Sequence, residues 1–294
     1  MKKGDSEGAK RVVAILLLLF AVLVTTLFLL ETLPVSKLPK PEKKREETVQ
    51  PKVPATLSKK VQKIFPKEKN RLSTGDIAII IDDVGWNRGL LSQLSSIQFP
   101  LTLAVLPNTP YGEEIAQKAY NSPKHQVILH IPLEPLDAKK IGKEDFLRLS
   151  MDDKEIRIKM DGYLKKFEPY IVGVNNHMGS AFTVSEEKMQ VLLHELKKRD
   201  LFFVDSLTNS ASCGYAKAKQ IGIPFTSRDI FLDNVNDAEE IAENIEKMKK
   251  IAAKEGSVVA IGHDRPLTIQ ALKKYLPQLA EEGYRINFVS HLVQ

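Results

Sequence analysis

The chain has 294 residues and a formal net charge of +6 at pH 7, and 43% of its residues are hydrophobic. Residues 1–75 carry 16 Lys or Arg and 7 Asp or Glu, whereas residues 76–294 carry 27 basic and 30 acidic residues. The excess positive charge therefore belongs to the amino-terminal part, and the remainder lacks the basic surface of a nucleic-acid-binding domain. The single cysteine, Cys213, excludes an intrachain disulfide and a thiolate metal cluster.

The amino-terminal part predicts a membrane anchor. A short basic segment, residues 1–11, precedes an apolar run at residues 12–30 that only two threonines interrupt. The run is close to the ~20 residues that a helix needs to cross a bilayer. A cleaved signal peptide is the alternative, but the run is long for one and no small-residue cleavage site follows it. Residues 31–75 are rich in Lys, Glu and Pro, which predicts a disordered linker.

Short apolar runs alternate with amphipathic stretches through residues 76–294, which predicts one α/β domain with a parallel sheet covered by helices. Ser185 and Asp237 stand where helix N-caps are expected, and Gly222 and Gly283 where C-caps are expected. Predicted strands cover residues 77–81, 101–106, 126–130, 171–175, 201–205, 223–226, 258–261 and 285–289. Predicted helices cover residues 88–96, 111–120, 154–167, 185–198, 215–221, 238–254 and 268–282.

Polar side chains lie at the carboxyl end of nearly every predicted strand. In a parallel barrel these ends converge on one face, so the pattern favours a distorted seven- or eight-stranded (β/α) barrel over an open doubly wound sheet. Carboxylates and imidazoles without thiolates suit zinc or another first-row divalent ion, which polarises a carbonyl and lowers the pKa of water. The polar residues at the predicted strand ends are Asp82, Asp83, His130, Asn175, Asn176, His177, Asp205, Arg228, Asp229, His263 and Asp264.

Six segments resemble, in order over residues 76–292, the divergent polysaccharide deacetylases. They are Ile-Ile-Ile-Asp-Asp-Val-Gly (79–85), Leu-His-Ile-Pro-Leu-Glu-Pro (129–135), Asn-Asn-His-Met-Gly-Ser (175–180), Phe-Val-Asp-Ser (203–206), Arg-Asp-Ile-Phe-Leu-Asp (228–233) and Ile-Gly-His (261–263). The resemblance implies a TIM-like barrel of the glycoside hydrolase/deacetylase type. It also implies a metal-dependent amide hydrolase that removes acetyl groups from a cell-envelope or exported polysaccharide.

Mapped by motif, the resemblance implies that Asp82 is the catalytic base, Asp83 a metal ligand and His263 the catalytic acid. Mainstream deacetylases place two metal-binding histidines as His-x-x-x-His, but here Glu134 stands four residues after His130. We therefore expect His177, on the next strand end, to complete the metal site with Asp83 and His130, and we expect zinc as the ion.

Three further residues are predicted beside this site. Asp205 and Arg228 are expected to form an ion pair beneath the metal, with either a tuning or a structural role. Glu134 is a possible ligand or a residue that shapes its loop between two prolines. The hydrolase interpretation places the domain on the extracytoplasmic side of the cytoplasmic membrane. The alternatives are an inactive glycan-binding or envelope-assembly module on the same barrel and, less favoured for want of a Gly-rich phosphate loop, another metal-dependent hydrolysis.

Overall fold

The computed structural model describes residues 73–137, 139 and 145–294. The predicted basic segment and membrane anchor, and all but the last residues of the predicted linker, lie outside the described residues. Among the helices of the described part, none combines the length and the apolar character that crossing a bilayer requires.

Nine strands form one sheet in the described part of the chain, and all their pairings are parallel. Their order is β6-β5-β4-β3-β2-β1-β8-β7, and β9 pairs with the beginning of β1. The strands are β1 (Gly75–Val84), β2 (Leu101–Val105), β3 (His125–Leu133), β4 (Ile171–Met178), β5 (Phe202–Asp205), β6 (Phe225–Ser227), β7 (Ile230–Phe231), β8 (Ser257–His263) and β9 (Tyr284–Asn287).

Helices alternate with the strands, as the amphipathic stretches predicted. They are α1 (Leu90–Leu94), α2 (Gly112–Tyr120), α3 (Asp153–Phe167), α4 (Glu186–Lys197), α5 (Gly214–Ile221), α6 (Ala238–Glu255) and α7 (Pro266–Glu281). Short 3-10 turns lie at Phe182–Val184 and Val289–His291. Each predicted helix is confirmed, with ends that differ by a few residues at most.

Local side-chain chemistry fixes several helix ends. Ser185 and Asp237 accept hydrogen bonds from backbone N–H groups in the first turns of α4 and α6, as expected of N-caps. Asp152 forms a reciprocal capping box with Glu155 at the start of α3. Gly222 ends α5 with a φ of +73°, a left-handed conformation that glycine adopts without the steric cost of a Cβ atom.

The sheet is a curled, parallel α/β half-barrel, which confirms the predicted α/β class. The prediction of seven or eight strands missed β7, which has only two residues and hence no readable periodicity. Residues 228–229 lead from the β5 side to the β8 side, because Arg228 N–H donates to Asp205 O and Asp229 N–H donates to Val259 O, both at 2.9 Å. The last predicted strand, β9, pairs with β1.

Two apolar cores pack against the sheet, and the smaller one fills its concave side. Val289 belongs to this inner core, and Leu292 and Val293 pack against it, so the carboxyl-terminal segment covers it. Gly173 makes room there, because a Cβ atom at this position would lie 2.3 Å from the Phe202 ring. The larger core, between sheet and helices, buries most of the remaining aliphatic side chains. The inner core comprises Ala78, Ile80, Ala104, Ile128, Phe202, Val204, Val259, Ile261 and Val289.

Candidate metal centre

Three potential metal ligands, from β1, β3 and β4, meet at one point. Asp83 Oδ1 lies 3.3 Å from His130 Nε2 and 3.0 Å from His177 Nδ1. The two ring nitrogens are 3.2 Å apart. One ligand atom from each of the three residues lies within 4.8 Å of the others. The structure thus brings together the three residues that the sequence proposed as ligands.

Two irregularities in strand pairing aim these side chains at the site. Between Ile81 and Val84, β1 has one residue more than β2 opposite it, and Asp83 there has a φ of +59°. Between Ile171 and Val174, β4 likewise has one residue more than β3. Because side chains alternate along a strand, an extra residue reverses which later side chains face the concave side. The first bulge lets both Asp82 and Asp83 reach the site, and the second turns Asn175 and His177 toward it.

Asn175 orients one of the ligands. This side chain is fully buried, and its Oδ1 lies 2.8 Å from His130 Nδ1. Its Nδ2 donates to Asp82 Oδ1, also at 2.8 Å. An amide oxygen can only accept, so His130 carries a proton on Nδ1, and Nε2 is the ring nitrogen that faces Asp83 and His177 and that would ligate a cation on losing its own proton. One amide therefore fixes both the tautomer of a potential ligand and the position of the adjacent carboxylate.

The donor set fits a divalent cation. Asp83 Oδ1 is buried but receives no hydrogen bond of good geometry from the described residues, although two imidazole nitrogens face it. Buried electron-rich atoms this close repel each other unless positive charge lies among them. One carboxylate oxygen with two imidazole nitrogens is the three-ligand set of many catalytic zinc sites. Asp83, His130 and His177 are therefore the residues that would hold a metal ion.

The electrostatics of the site also favour positive charge. Burial works to raise the pKa of Asp83, but close contacts with His130 and His177 and their charges hold it well below its usual range. Burial works to lower the pKa of His130, but the charges of Asp82 and Asp83 raise it to about 9. The field of the two carboxylates thus outweighs the desolvation of the imidazole, and the same field attracts a metal cation.

Asp82 is placed to exchange a proton at the edge of the ligand group. Its carboxylate is buried, and Oδ2 lies 3.5 Å from His130 Nε2. Burial raises the pKa of Asp82, with the neighbouring Asp83 acting in the same direction and His130 and His263 opposing it. A raised pKa makes a carboxylate a better proton acceptor at neutral pH.

His263 faces the site from the other side of β1, because its position on β8 is in register with Asp82. Its Nδ1 lies 2.7 Å from Asp233 Oδ1, and Thr268 Oγ1 donates to Asp233 Oδ2 at 2.5 Å. Burial works to lower the pKa of His263, but the hydrogen bond and the charge of Asp233 raise it. The imidazole also stacks on Phe231, with ring centroids 6.0 Å apart. Asp233 therefore orients the His263 imidazole through Nδ1, and Nε2 lies outside this pair.

The remaining predicted site residues hold loops. The Asp205 side chain accepts from Leu207 N–H at 2.8 Å and from Ser212 Oγ at 2.6 Å. Instead of pairing with that carboxylate, the Arg228 guanidinium donates to the carbonyl oxygens of Ser206 and Leu207. The expected Asp205–Arg228 ion pair is therefore absent from the contacts of these described residues, because neighbouring backbone groups satisfy both side chains.

Glu134 does not join the ligand group. Its carboxylate accepts from Leu149 N–H at 2.5 Å, and its backbone oxygen accepts from the N–H groups of Ala181 and Phe182. Its structural contacts support the loop-shaping alternative. The sequence alone predicts no orienting role for Asn175 and none for Asp233. Each of them pairs with a site histidine through strand register, which the sequence pattern does not reveal. The polar Asn-Asn-His segment, which includes Asn175, is the only local signal for either residue.

Residues 79–293 match the model of a family described as divergent polysaccharide deacetylase. Over 205 residues, 70% of this chain, the sequence is 33% identical to the uncharacterized protein YibQ of Escherichia coli, and the match covers 63% of that protein, which is less than two thirds of its length. An uncharacterized protein of Haemophilus influenzae is 33% identical over 206 residues, which cover 70% of this chain and 72% of that protein. The fold is similar to the crystal structure of an uncharacterized protein from Agrobacterium tumefaciens, with a TM-score of 0.71, 21% identity and coverage of 79% of this chain and 94% of that chain.

Proposed function

The chain belongs to the divergent polysaccharide deacetylase family, and we propose that it is a metal-dependent hydrolase that removes acetyl groups from a cell-envelope or exported polysaccharide. The observation that carries the proposal is the convergence of Asp83, His130 and His177 beside two proton-exchanging groups, Asp82 and His263. A deacetylation needs these parts: a cation, a base for water and an acid for the leaving group.

A divalent ion held by Asp83, His130 and His177 would supply a Lewis acid that polarises the acetyl carbonyl and lowers the pKa of water. Zinc is the ion that we propose, because one carboxylate and two imidazoles suit it.

In the proposed reaction, a water oxygen forms a bond to the acetyl carbon and Asp82 accepts a proton from that water. The bond from the acetyl carbon to the sugar substituent then breaks. His263, whose pKa is raised by its pair with Asp233, donates a proton to the leaving amine or alcohol. Asn175 keeps Asp82 and His130 in place throughout.

We also propose that residues 12–30 anchor the protein in the cytoplasmic membrane with the domain on the extracytoplasmic side. The apolar run supports an anchor. A cell-envelope or exported substrate supports this orientation, because such polymers are accessible on that side.

Metal content tests the ligand assignment. The purified full-length chain should hold about one divalent ion, and Asp83→Ala and His177→Ala should each lose it. Glu134→Gln is the matched control and should keep the ion, because the Glu134 carboxylate binds a backbone N–H of its own loop. Retention of the ion by both ligand variants would refute the assignment.

Acetate release from a panel of N- and O-acetylated glycans tests the reaction. Asp82→Asn should keep the ion and lose activity.

A second candidate function, a glycan-binding or envelope-assembly module without catalysis, is favoured by Glu134 standing where mainstream deacetylases carry a second metal histidine. Glycan binding without acetate release across the whole panel would support that module over the hydrolase.

A further inference from the structure

His177 presents a different ring nitrogen to the site from the one that His130 presents. Its Nδ1 lies 3.0 Å from Asp83 Oδ1 and 3.2 Å from His130 Nε2. The lone pair of a ring nitrogen lies in the plane of the ring, so a rotation of the ring turns it away from a cation. Asn175 orients His130 through a hydrogen bond at Nδ1, but in His177 that atom already faces the other ligands. The plane of the His177 ring can instead be fixed by groups that pack against it.

The rings of His130 and Phe146 pack against the imidazole of His177. The His130 ring meets it at an interplanar angle of 76°, with ring centroids 5.0 Å apart. The Phe146 ring is tilted by 33° against it, with centroids 6.1 Å apart. Phe146 is fully buried, so close packing confines its ring to this position. A flat apolar ring therefore lies beside the third ligand.

This phenylalanine is carried by a segment that folds back onto the end of β3. We call residues 145–149 the return segment. The Leu147 N–H donates to Pro132 O at 2.8 Å, and the Leu147 carbonyl accepts from Glu134 N–H at 3.0 Å. The Glu134 carboxylate accepts from Leu149 N–H at 2.5 Å. Hydrogen bonds to the end of β3 and to the residue after it thus fix the return segment.

Helix α3 also holds the return segment. Lys159 Nζ donates to Phe146 O at 2.8 Å and pairs with the Asp145 carboxylate. Tyr163 Oη donates to Asp145 O. Lys159 and Tyr163 are four residues apart and hence lie on one face of the helix. That face therefore binds the backbone of Phe146 and of the residue before it.

We propose that Phe146 is a positioning residue of the metal centre: its ring fixes the plane of the His177 imidazole, and the return segment holds Phe146 in place. This inference rests on the proposed metal site and specifies how its third ligand is oriented. It also gives Glu134 an indirect part, because the Glu134 carboxylate holds the segment that packs against a ligand histidine. An amide keeps the acceptor oxygen for Leu149 N–H, so Glu134→Gln should still retain the ion.

Phe146→Leu tests the role of the flat ring, because leucine remains apolar and fills much of the same volume but has no ring to pack on His177. Zinc is titrated calorimetrically into the metal-free, full-length proteins. The visible spectrum of the same proteins loaded with cobalt(II) reports the geometry of the ligands. We expect the zinc affinity of Phe146→Leu to fall at least about tenfold and its cobalt spectrum to change. Wild-type zinc affinity and an unchanged cobalt spectrum would overturn the proposal.

Phe167→Leu is the matched control, because Phe167 is also fully buried but lies at the end of α3, in the core between sheet and helices. Both leucine variants should lower the melting temperature of the metal-free protein. Only Phe146→Leu should lose zinc affinity. An equal loss of zinc affinity in both variants would show that Phe146 acts through stability alone and would overturn its positioning role.

Lys159→Met tests the hold on the return segment and leaves the aromatic ring intact. Methionine keeps an apolar side chain but lacks the ammonium that binds Asp145 and Phe146 O, so zinc affinity should fall. Lys165→Met is the control, because Lys165 lies on the same helix, is 72% exposed and pairs with Asp161. It should leave zinc affinity unchanged. Equal zinc affinity in the two methionine variants would contradict the role of the return segment, whether or not Phe146→Leu folds.

These outcomes are separable from that of the proposed function, because zinc affinity and cobalt spectra need no turnover. Zinc binding that Phe146→Leu weakens, without acetate release from any glycan, would support the positioning role and remove the hydrolase. Acetate release by a wild-type protein whose zinc affinity Phe146→Leu leaves unchanged would do the reverse. A wild-type protein that binds no divalent ion would overturn both.

Discussion

Asn175 provides the sharpest test of the site, because one side chain makes two separable contacts. Asn175→Ala removes the hydrogen bonds to His130 and Asp82, both 2.8 Å long and both buried. Each group left unsatisfied costs roughly 1–3 kcal/mol, so the free energy of unfolding should fall by roughly 2–6 kcal/mol. Loss of the group that orients a ligand histidine should weaken metal binding about 10- to 100-fold.

Asn175→Asp should separate the two contacts. A carboxylate oxygen accepts the Nδ1 proton of His130 at least as strongly as an amide oxygen, so metal affinity should stay close to wild type. The donor to Asp82 is lost, however, and a second carboxylate takes its place. Like charges this close raise the pKa of Asp82 further, so kcat should fall about 100-fold or more.

The assay is calorimetric titration of the metal-free proteins with zinc, together with acetate release and thermal melting. Asn244→Ala is the control, because Asn244 is also buried and donates a hydrogen bond to Leu232 O instead of to a ligand residue. It should lower stability and leave metal affinity unchanged. If Asn175→Asp lost metal as Asn175→Ala does, or if neither lost any, the assignment of the His130 tautomer would be wrong.

Three further predictions follow from single contacts. Asp233→Asn removes the charge that raises the pKa of His263, so the pH above which kcat/KM declines should move to lower pH, and an unchanged profile would exclude His263 as the acid. Gly173→Ala places a Cβ atom 2.3 Å from the Phe202 ring and should lower the free energy of unfolding by roughly 1–3 kcal/mol in chemical denaturation, whereas a neutral effect would contradict the packing. Asp152→Ala removes the capping box of α3 and should cost about 1 kcal/mol, or roughly 2–4 °C in melting temperature, with metal content unchanged.

Most of the secondary structure could be predicted because its signals are local. Ser185 and Asp237 act as N-caps where the sequence placed them, and Gly222 ends α5 in a left-handed conformation. These signals depend on a few neighbouring residues, so one chain suffices to find them. β7 was not predicted because a strand of two residues, Ile230 and Phe231, is too short to show an alternating pattern of apolar and polar residues. Its pairing with β8 is also a long-range contact.

The members of the site could be predicted better than their geometry. Polar residues at strand ends included Asp83, His130 and His177, because parallel strands bring their carboxyl ends to one edge of the sheet, and the motif resemblance then selected these three as ligands. The roles of Asn175 and Asp233 depend on which side chains face each other across strands. A bulge shifts by one residue which side chains of a strand point to the concave side of the sheet, and no periodic pattern in the sequence marks where the extra residue is inserted.

The bulge in β4 also explains how the site can lack the His-x-x-x-His pattern of mainstream deacetylases. In this chain β3 continues through Leu133, so the residue four after His130 is Glu134, which lies beyond the strand and binds its own loop. The extra residue in β4 turns His177 inward beside His130. β4 therefore supplies a second imidazole, whereas the loop after β3 has Glu134 in place of a histidine. Both imidazoles then lie on paired strands, whose positions are fixed by the sheet before any cation binds. The departure in sequence is therefore compatible with an intact set of three ligands.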